Sequence, residues 1–257
     1  VMAFWLNEYH IDGWRLDVAD EIDPSLWARI RYRIKSAYPD CLLLGETWGD
    51  GFSLLDGKSV DSIMNYVFRD SVRDFFARGS IDAKMFNHRI CQMRSHYPEE
   101  IRQALFQPLD SHDTERFLWN CKGDIRRLKL AALFQMCFPG APSIYYGDEI
   151  GLNGDNDPDC RRCMEWEKEK QNTEVLSFYK KIIIIRKSYS YLRTGNILPL
   201  VCKKMIYGYL CQSENQQIYV LMNGTEEEYE VRLPVLEIAR YKNLLTGESY
   251  EAEKLVN

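Results

Sequence analysis

The chain is 257 residues long, with a formal net charge of −5, 46% hydrophobic residues and 13% aromatic residues. That length has room for one large domain, or a domain plus a smaller one, around a substantial core. The acidic balance and the lack of any basic run argue against nucleic acid and against a polybasic membrane patch, and no stretch of about 18 apolar residues is present to span a bilayer.

Residues 1 to 9 read as a helix, so the chain opens inside an element and a signal peptide upstream is left open. Apolar and polar residues then alternate through Trp14, Arg15, Leu16, Asp17 and Val18, the pattern of a strand. Asp23-Pro24 predicts a helix start, Asp as N-cap and Pro at the first helical position. Leu26, Trp27, Ile30, Ile34 and Ala37 recur at helical spacing until Pro39-Asp40 stops the run. Cys41 to Trp48 reads as a short, nearly all-apolar strand and Val60 to Tyr66 as another. Helices are expected over about 68 to 78 and 81 to 96, a strand over Ala104 to Leu109, and a helix from Asp124 to Phe138 closed by Pro139-Gly140. Pro142 to Tyr146 is a fifth strand, followed by a Gly- and Asp-rich loop from Gly151 to Asp159 and a helix from about Thr173 to Ser188. Apolar strands separated by helices predict a parallel sheet covered on both faces. From about Tyr191 the texture changes to short alternating runs, Ile206 to Cys211, Gln217 to Met222 and Tyr229 to Leu233, with turn signals such as Asn223-Gly224. These predict an antiparallel β-domain. The expected division is therefore residues 1–190 and residues 191–257.

The eight cysteines, at 41, 91, 121, 137, 160, 163, 202 and 211, have no framework spacing, which in a chain of this length argues for reduced thiols in a cytoplasmic setting. Cys160-Arg161-Arg162-Cys163 has no second CxxC or His pair beside it and so points to neither metal nor redox work. The chemistry gathers elsewhere. Arg15 and Asp17 lie two apart on one strand face, and a guanidinium there favours the ionised carboxylate that a nucleophile or ion-stabilising group needs. A structural Arg–Asp pair would have the same spacing. Three of the predicted strands, however, carry ionisable groups at their C-terminal ends: Asp17, Glu46, and His112 with Asp113. In a closed β/α barrel those ends share the face where active sites sit. Paired carboxylates around a scissile bond are the minimal kit for glycoside hydrolysis.

Gly13-Trp14-Arg15-Leu16-Asp17, Gly45-Glu46-Thr47-Trp48 and Leu109-Asp110-Ser111-His112-Asp113-Thr114 resemble, in order, three signature regions of the α-amylase family, glycoside hydrolase family 13. Gly140 to Glu149 is similar to that family's last barrel strand, and Asn156 to Arg162 to the loop after it. The resemblance implies that Asp17 attacks the anomeric carbon, that Glu46 is the general acid/base, and that Asp113 holds the 2- and 3-hydroxyls, with Arg15 and His112 as hydrogen-bond partners. That chemistry needs Glu46 protonated and Asp17 ionised; crowded carboxylates favour the first and the adjacent Arg15 the second. Val18-Ala19-Asp20-Glu21 resembles the neopullulanase, cyclomaltodextrinase and maltogenic amylase branch, which usually has Asn where Asp20 stands. By the same resemblance Glu21 and Trp48 shape acceptor subsites, and Asp157 and Arg161 contact a glucose on the non-reducing side. A core aromatic at 48 and a salt-bridged loop at 157–161 are the plainer alternatives. Tyr145 and Tyr146 are read as barrel packing.

The resemblance implies an α/β fold: the C-terminal part, about strands 4 to 8, of a TIM (β/α)8 barrel, then a small antiparallel β-sandwich domain, truncated. The family's first signature region has no counterpart here, and five strands cannot close a barrel. The expectation is thus a fragment, poorly soluble and inactive alone because its sheet edges are unpaired. The implied substrate is an α-glucan, cut at α-1,4 and in some members α-1,6 bonds of cyclodextrins, pullulan, maltooligosaccharides or starch. An α-glucosidase or glucanotransferase of the same family, or a non-catalytic sugar-binding relative, are the alternative readings. No cofactor is required by the mechanism, no metal site is assigned, and calcium is left as an option at the Asp-rich loop 155–159. The parent is expected to dimerise through a region outside this chain.

Overall fold

The structure, a computed structural model, describes residues 1–212, 216–231 and 239–252. Helix α1 (Met2–Tyr9) ends at His10, whose φ of 52° turns the chain into strand β1 (Gly13–Leu16). Here the sequence has glycine at 13 for a steric reason: a Cβ would lie 2.5 Å from the Leu42 carbonyl oxygen of the neighbouring strand. Helix α2 (Pro24–Ala37) starts as its sequence predicts, with the Asp23 carboxylate accepting the Ser25 N–H at 2.8 Å and proline at the first helical position. It buries Trp27 and Ile34, and the Trp27 indole donates to the Ala19 carbonyl at 2.8 Å.

Strand β2 (Leu42–Gly45) pairs in parallel with β1, placing Arg15 opposite Leu44, and with β3 (Ser62–Ile63) on its other side. A parallel bridge between Met64 and Phe106 carries the arc on to strand β4 (Phe106–Pro108), which pairs in parallel with β5 (Ala141–Ser143). The strands are shorter than their apolar runs suggest. The residues past each ladder bend away to form the loops at the strands' C-terminal ends.

Between strands run α3 (Tyr66–Val72), capped by the Asn65 side chain, and α4 (Ala83–His96), capped by Asp82. The helix expected over 68 to 78 is in fact α3 followed by a π-turn, Arg73–Ala77. Helix α5 (Glu99–Ala104) was not predicted; its two glutamates in the first turn suit the positive end of the helix dipole. Helices α6 (Phe117–Asn120), α7 (Ile125–Cys137) and α8 (Thr173–Ser188) follow, the last with the expected bounds and with Asn172 as its cap.

After the short α9 (Tyr191–Thr194), an antiparallel sheet is formed by β6 (Asn196–Lys203), β7 (Ile206–Gln212) and β8 (Gln217–Asn223). β6 is an addition to the predicted strands. Of the strand expected at Tyr229 to Leu233, residues 229–231 are irregular and 232–233 lie outside the described residues. A hairpin, β9 (Ala239–Lys242) with β10 (Ser249–Ala252), completes the described chain, and Tyr219 meets Tyr241 edge to face at 5.5 Å. The antiparallel sheet shares one apolar core with the helices of the arc: Phe86 packs on Phe75 at 4.5 Å and on Tyr207 at 5.0 Å, and the Tyr209 hydroxyl donates to the Cys137 carbonyl at 2.8 Å.

Candidate active site

The C-terminal ends of β1, β2 and β4 bring their ionisable groups to one guanidinium. Arg15 Nη1 lies 2.5 Å from Asp17 Oδ1, while Arg15 Nη2 lies 2.6 Å from Glu46 Oε1 and 3.8 Å from Asp113 Oδ2. Arg15 and Asp17 thus share a strand face as their spacing predicts. Arg15 also grips Glu46 as closely, a contact across strands that the spacing of Arg15 and Asp17 does not give. Glu46 is almost wholly buried, whereas Asp17 is the most exposed member, with 74% of its side chain accessible.

Asp113 is held from the other side as well. His112 Nε2 lies 3.0 Å from Asp113 Oδ2, and Arg161 Nη2 donates to Asp113 Oδ1 at 3.0 Å while its Nε reaches Asp157 Oδ1 at 2.8 Å. Arg15, Asp17, Glu46, His112, Asp113, Asp157 and Arg161 therefore form one connected set of ion pairs drawn from four chain segments. The 157–161 loop is salt-bridged, as its plainer reading has it, and its Arg161 also reaches Asp113.

Trp48 is not core: half its surface is exposed and its ring stacks on Tyr66 at 4.4 Å and 18°. The Tyr66 hydroxyl is 3.0 Å from Ser111 Oγ, and burial raises the tyrosine's pKa. Glu21 stands exposed on the 3₁₀ turn Ala19–Glu21, outside the ion-pair set.

Several supporting residues escaped sequence reasoning. The Val18 N–H donates to Glu46 Oε2 at 2.9 Å from a left-handed backbone, φ 44° and ψ 47°. Arg116 is fully buried; its Nε donates to the Cys160 carbonyl at 2.9 Å, and its Nη1 donates to the Tyr146 carbonyl and, at 3.2 Å, to Asp148 Oδ1. Tyr145 and Tyr146 lie against that guanidinium, with Cζ 4.0 Å and 4.7 Å from the ring centres, which gives their packing role a definite partner. Asp110 is buried beside Asp148 and accepts the Phe117 N–H at 2.6 Å. Burial raises both carboxyls, Asp148 well above the ordinary range with the neighbouring Asp110 adding to it, so the pair favours sharing one proton opposite Arg116. Asp110 and Asp148 stand inside the stretches 109–114 and 140–149 that carry the resemblance, but no role for them is read there, and nothing in the sequence marks Arg116.

In the Asp-rich loop each acidic side chain already has a partner. Asp155 accepts the Asn156 N–H, Asp157 binds Arg161, and Asp159 binds Arg162 and the Asp155 N–H. Among the described residues no three His, Cys, Asp or Glu side chains converge as metal ligands. This loop does not fit calcium as arranged.

Comparison with known proteins finds the family description "Alpha amylase, catalytic domain" over residues 1–195. A cyclomaltodextrinase of Geobacillus thermopakistaniensis (strain MAS1) is 41% identical over 256 residues, 98% of this chain and 44% of that protein. Neopullulanase 2 of Thermoactinomyces vulgaris is 43% identical over 258 residues, covering 99% of this chain and 44% of its own length. A solved cyclomaltodextrinase structure superposes with a TM-score of 0.89 at 40% identity, over 93% of this chain and 41% of that one. The chain thus spans less than half the length of these relatives.

Proposed function

The chain belongs to the alpha-amylase family of glycoside hydrolases, and from that premise we propose that its parent protein is a retaining α-glucan hydrolase acting on cyclodextrins, pullulan and maltooligosaccharides. The observation that carries this reading is the single Arg15 guanidinium bound to both Asp17 and Glu46 with Asp113 beside it. Two acids reached by one guanidinium are close neighbours, which supports the short carboxyl spacing, about 5–5.5 Å, that a double displacement uses.

In this mechanism Asp17, the exposed member, attacks the anomeric carbon as the bond to the leaving oxygen breaks, and Glu46 gives that oxygen its proton. Asp113 binds the sugar hydroxyls next to the reacting carbon, where its charge stabilises the oxocarbenium-like transition state. The ionised Glu46 then takes a proton from water, which opens the glycosyl–Asp17 ester and returns the α-anomer. Trp48, stacked on Tyr66 and half exposed, would offer a stacking platform to a sugar on the acceptor side, where the family resemblance also puts Glu21. The same resemblance puts Asp157 and Arg161 on the non-reducing side. The steps use side-chain carboxylates alone and call for no cofactor. The bond and substrate preference rests on the relatives' names, and a cytoplasmic, dimeric parent is part of the same proposal, supported for its location by eight unpaired cysteines.

The test is hydrolysis of β-cyclodextrin, pullulan and starch by the full-length protein beside its Glu46→Gln variant. Cyclodextrin or pullulan should be cut faster than starch, and the variant should lose about 10²–10⁴-fold in kcat. An unmodified protein that cuts none of the three would sink the reading in favour of a sugar-binding relative.

A further inference from the structure

We propose that Arg116 is a positioning residue for Asp113, acting through Cys160; this rests on the catalytic reading of Asp113 above. A fully buried guanidinium is costly unless its geometry is well satisfied, so where its bonds go indicates what it holds. They go to loops. Nε donates to the Cys160 carbonyl at 2.9 Å, Nη1 to the Tyr146 carbonyl and to Asp148, and the Arg116 main-chain N–H to the Gly154 carbonyl at 3.0 Å.

Cys160 is the branch point. Its thiol donates to the His112 carbonyl at 3.2 Å, and His112 is one of the two side chains that grip Asp113 through hydrogen-bond-length ion pairs. The other is Arg161, the residue next to Cys160, 3.0 Å from Asp113 Oδ1. Arg116 thereby fixes, through one peptide, both groups that orient the Asp113 carboxylate. The loop is shaped for this contact at Gly154, where a Cβ would meet the Asp159 carbonyl oxygen at 2.6 Å, so only glycine lets the chain pass this close to Cys160. On the far side Asp148 anchors the guanidinium, and Asp110, buried beside Asp148, holds the Phe117 N–H, which fixes the chain just after Arg116. A displaced Asp113 would still accept a sugar hydroxyl but would meet the transition state off its best geometry. The loss should therefore appear in kcat more than in KM.

The experiment uses the full-length protein with Arg116→Met, Arg161→Met, the two together, and Cys160→Ala. It measures kcat and KM on β-cyclodextrin, corrected for the folded fraction read from thermal melts. Arg116→Met should lower kcat by about 10- to 100-fold with KM held within about threefold. The double variant should fall no more than about threefold below the worse single, because both substitutions release the same carboxylate. Cys160→Ala, which removes only the thiol contact, should lower kcat by roughly two- to fivefold and covers the case in which Arg116→Met does not fold. A kcat per folded molecule unchanged in Arg116→Met, losses that multiply in the double variant, or an unaltered Cys160→Ala enzyme would each overturn the proposal. An inactive unmodified protein would instead overturn the catalytic reading, and this one with it.

Discussion

Val18 holds a β-branched side chain in the left-handed region, at φ 44° and ψ 47°, where Cβ crowds the following carbonyl. The conformation aims its N–H at Glu46 Oε2, 2.9 Å away, so the buried acid is fixed by a strained peptide as well as by Arg15. Releasing that strain should stabilise the fold and loosen the acid. Val18→Gly is expected to gain about 0.5–1.5 kcal/mol, the relief of the left-handed conformation less the backbone entropy glycine adds. This would be read as a higher urea midpoint at unchanged slope, with kcat falling several-fold; a lower midpoint would mean that Val18 packing outweighs the strain. Nothing in the sequence announced the turn, because the usual mark of a left-handed position is Gly or Asn. The three carboxylates were legible because alternation and strand ends place them. Their shared grip on Arg15 depends on side-chain reach across strands, which spacing does not encode.

At the scale of elements, α2 is tied to the sheet by one side chain from a strand it does not follow. Asp61, just before β3, lies 2.6 Å from Arg31 Nη1 and 2.8 Å from Lys35 Nζ, one turn apart on α2, and its other role is to accept the Leu43 N–H of β2 at 2.9 Å. Burial alone would raise this carboxyl, but the bonds from Lys35, Leu43 and Arg31 outweigh it and hold it below the usual range. A depressed folded value means that the clamp contributes fully above the unfolded carboxyl value of about 3.9 and is lost as pH falls through the lower folded value. Asp61→Asn should therefore cost about 1–2 kcal/mol at pH 7, discounted for the part of the group still in solvent. That cost should shrink when urea melts of both proteins are repeated near pH 3, and a gap that widens in acid would refute the clamp. Helices with local punctuation, such as Asp23-Pro24 before α2 and Pro139-Gly140 after α7, were readable because starts and stops are encoded within a few residues. The strands were read too long, because an apolar run continues past the last ladder bond into the loop. The unpredicted β6 is set by contacts with distant partners, as when Arg94 of α4 donates to the Ile197 carbonyl at 3.3 Å.

For the whole molecule the decisive feature is the arc itself. Among the described residues β1 and β5 each pair on one side only, which leaves backbone donors and acceptors of two parallel strands without a ladder partner. Next to the first of these edges α1 presents Phe4, Trp5 and Tyr9 to solvent, their rings packed on one another at 4.9–6.1 Å with no cover outside. Parallel strands are stable when both faces and both neighbours are supplied, and open apolar edges are templates for association. Asp17 lies just past the end of β1, so the nucleophile of the proposed mechanism sits at an unpaired edge and is largely in solvent, where the low-dielectric enclosure that makes electrostatic catalysis effective is missing. Residues 1–257 expressed alone are therefore expected to associate through these edges and to show no turnover of β-cyclodextrin, which the full-length protein, on the function proposed above, should hydrolyse. Light scattering and a cyclodextrin assay on the two preparations decide it: a monodisperse 1–257 that unfolds cooperatively and turns over substrate would mean that the arc with its antiparallel sheet is a self-sufficient catalytic unit.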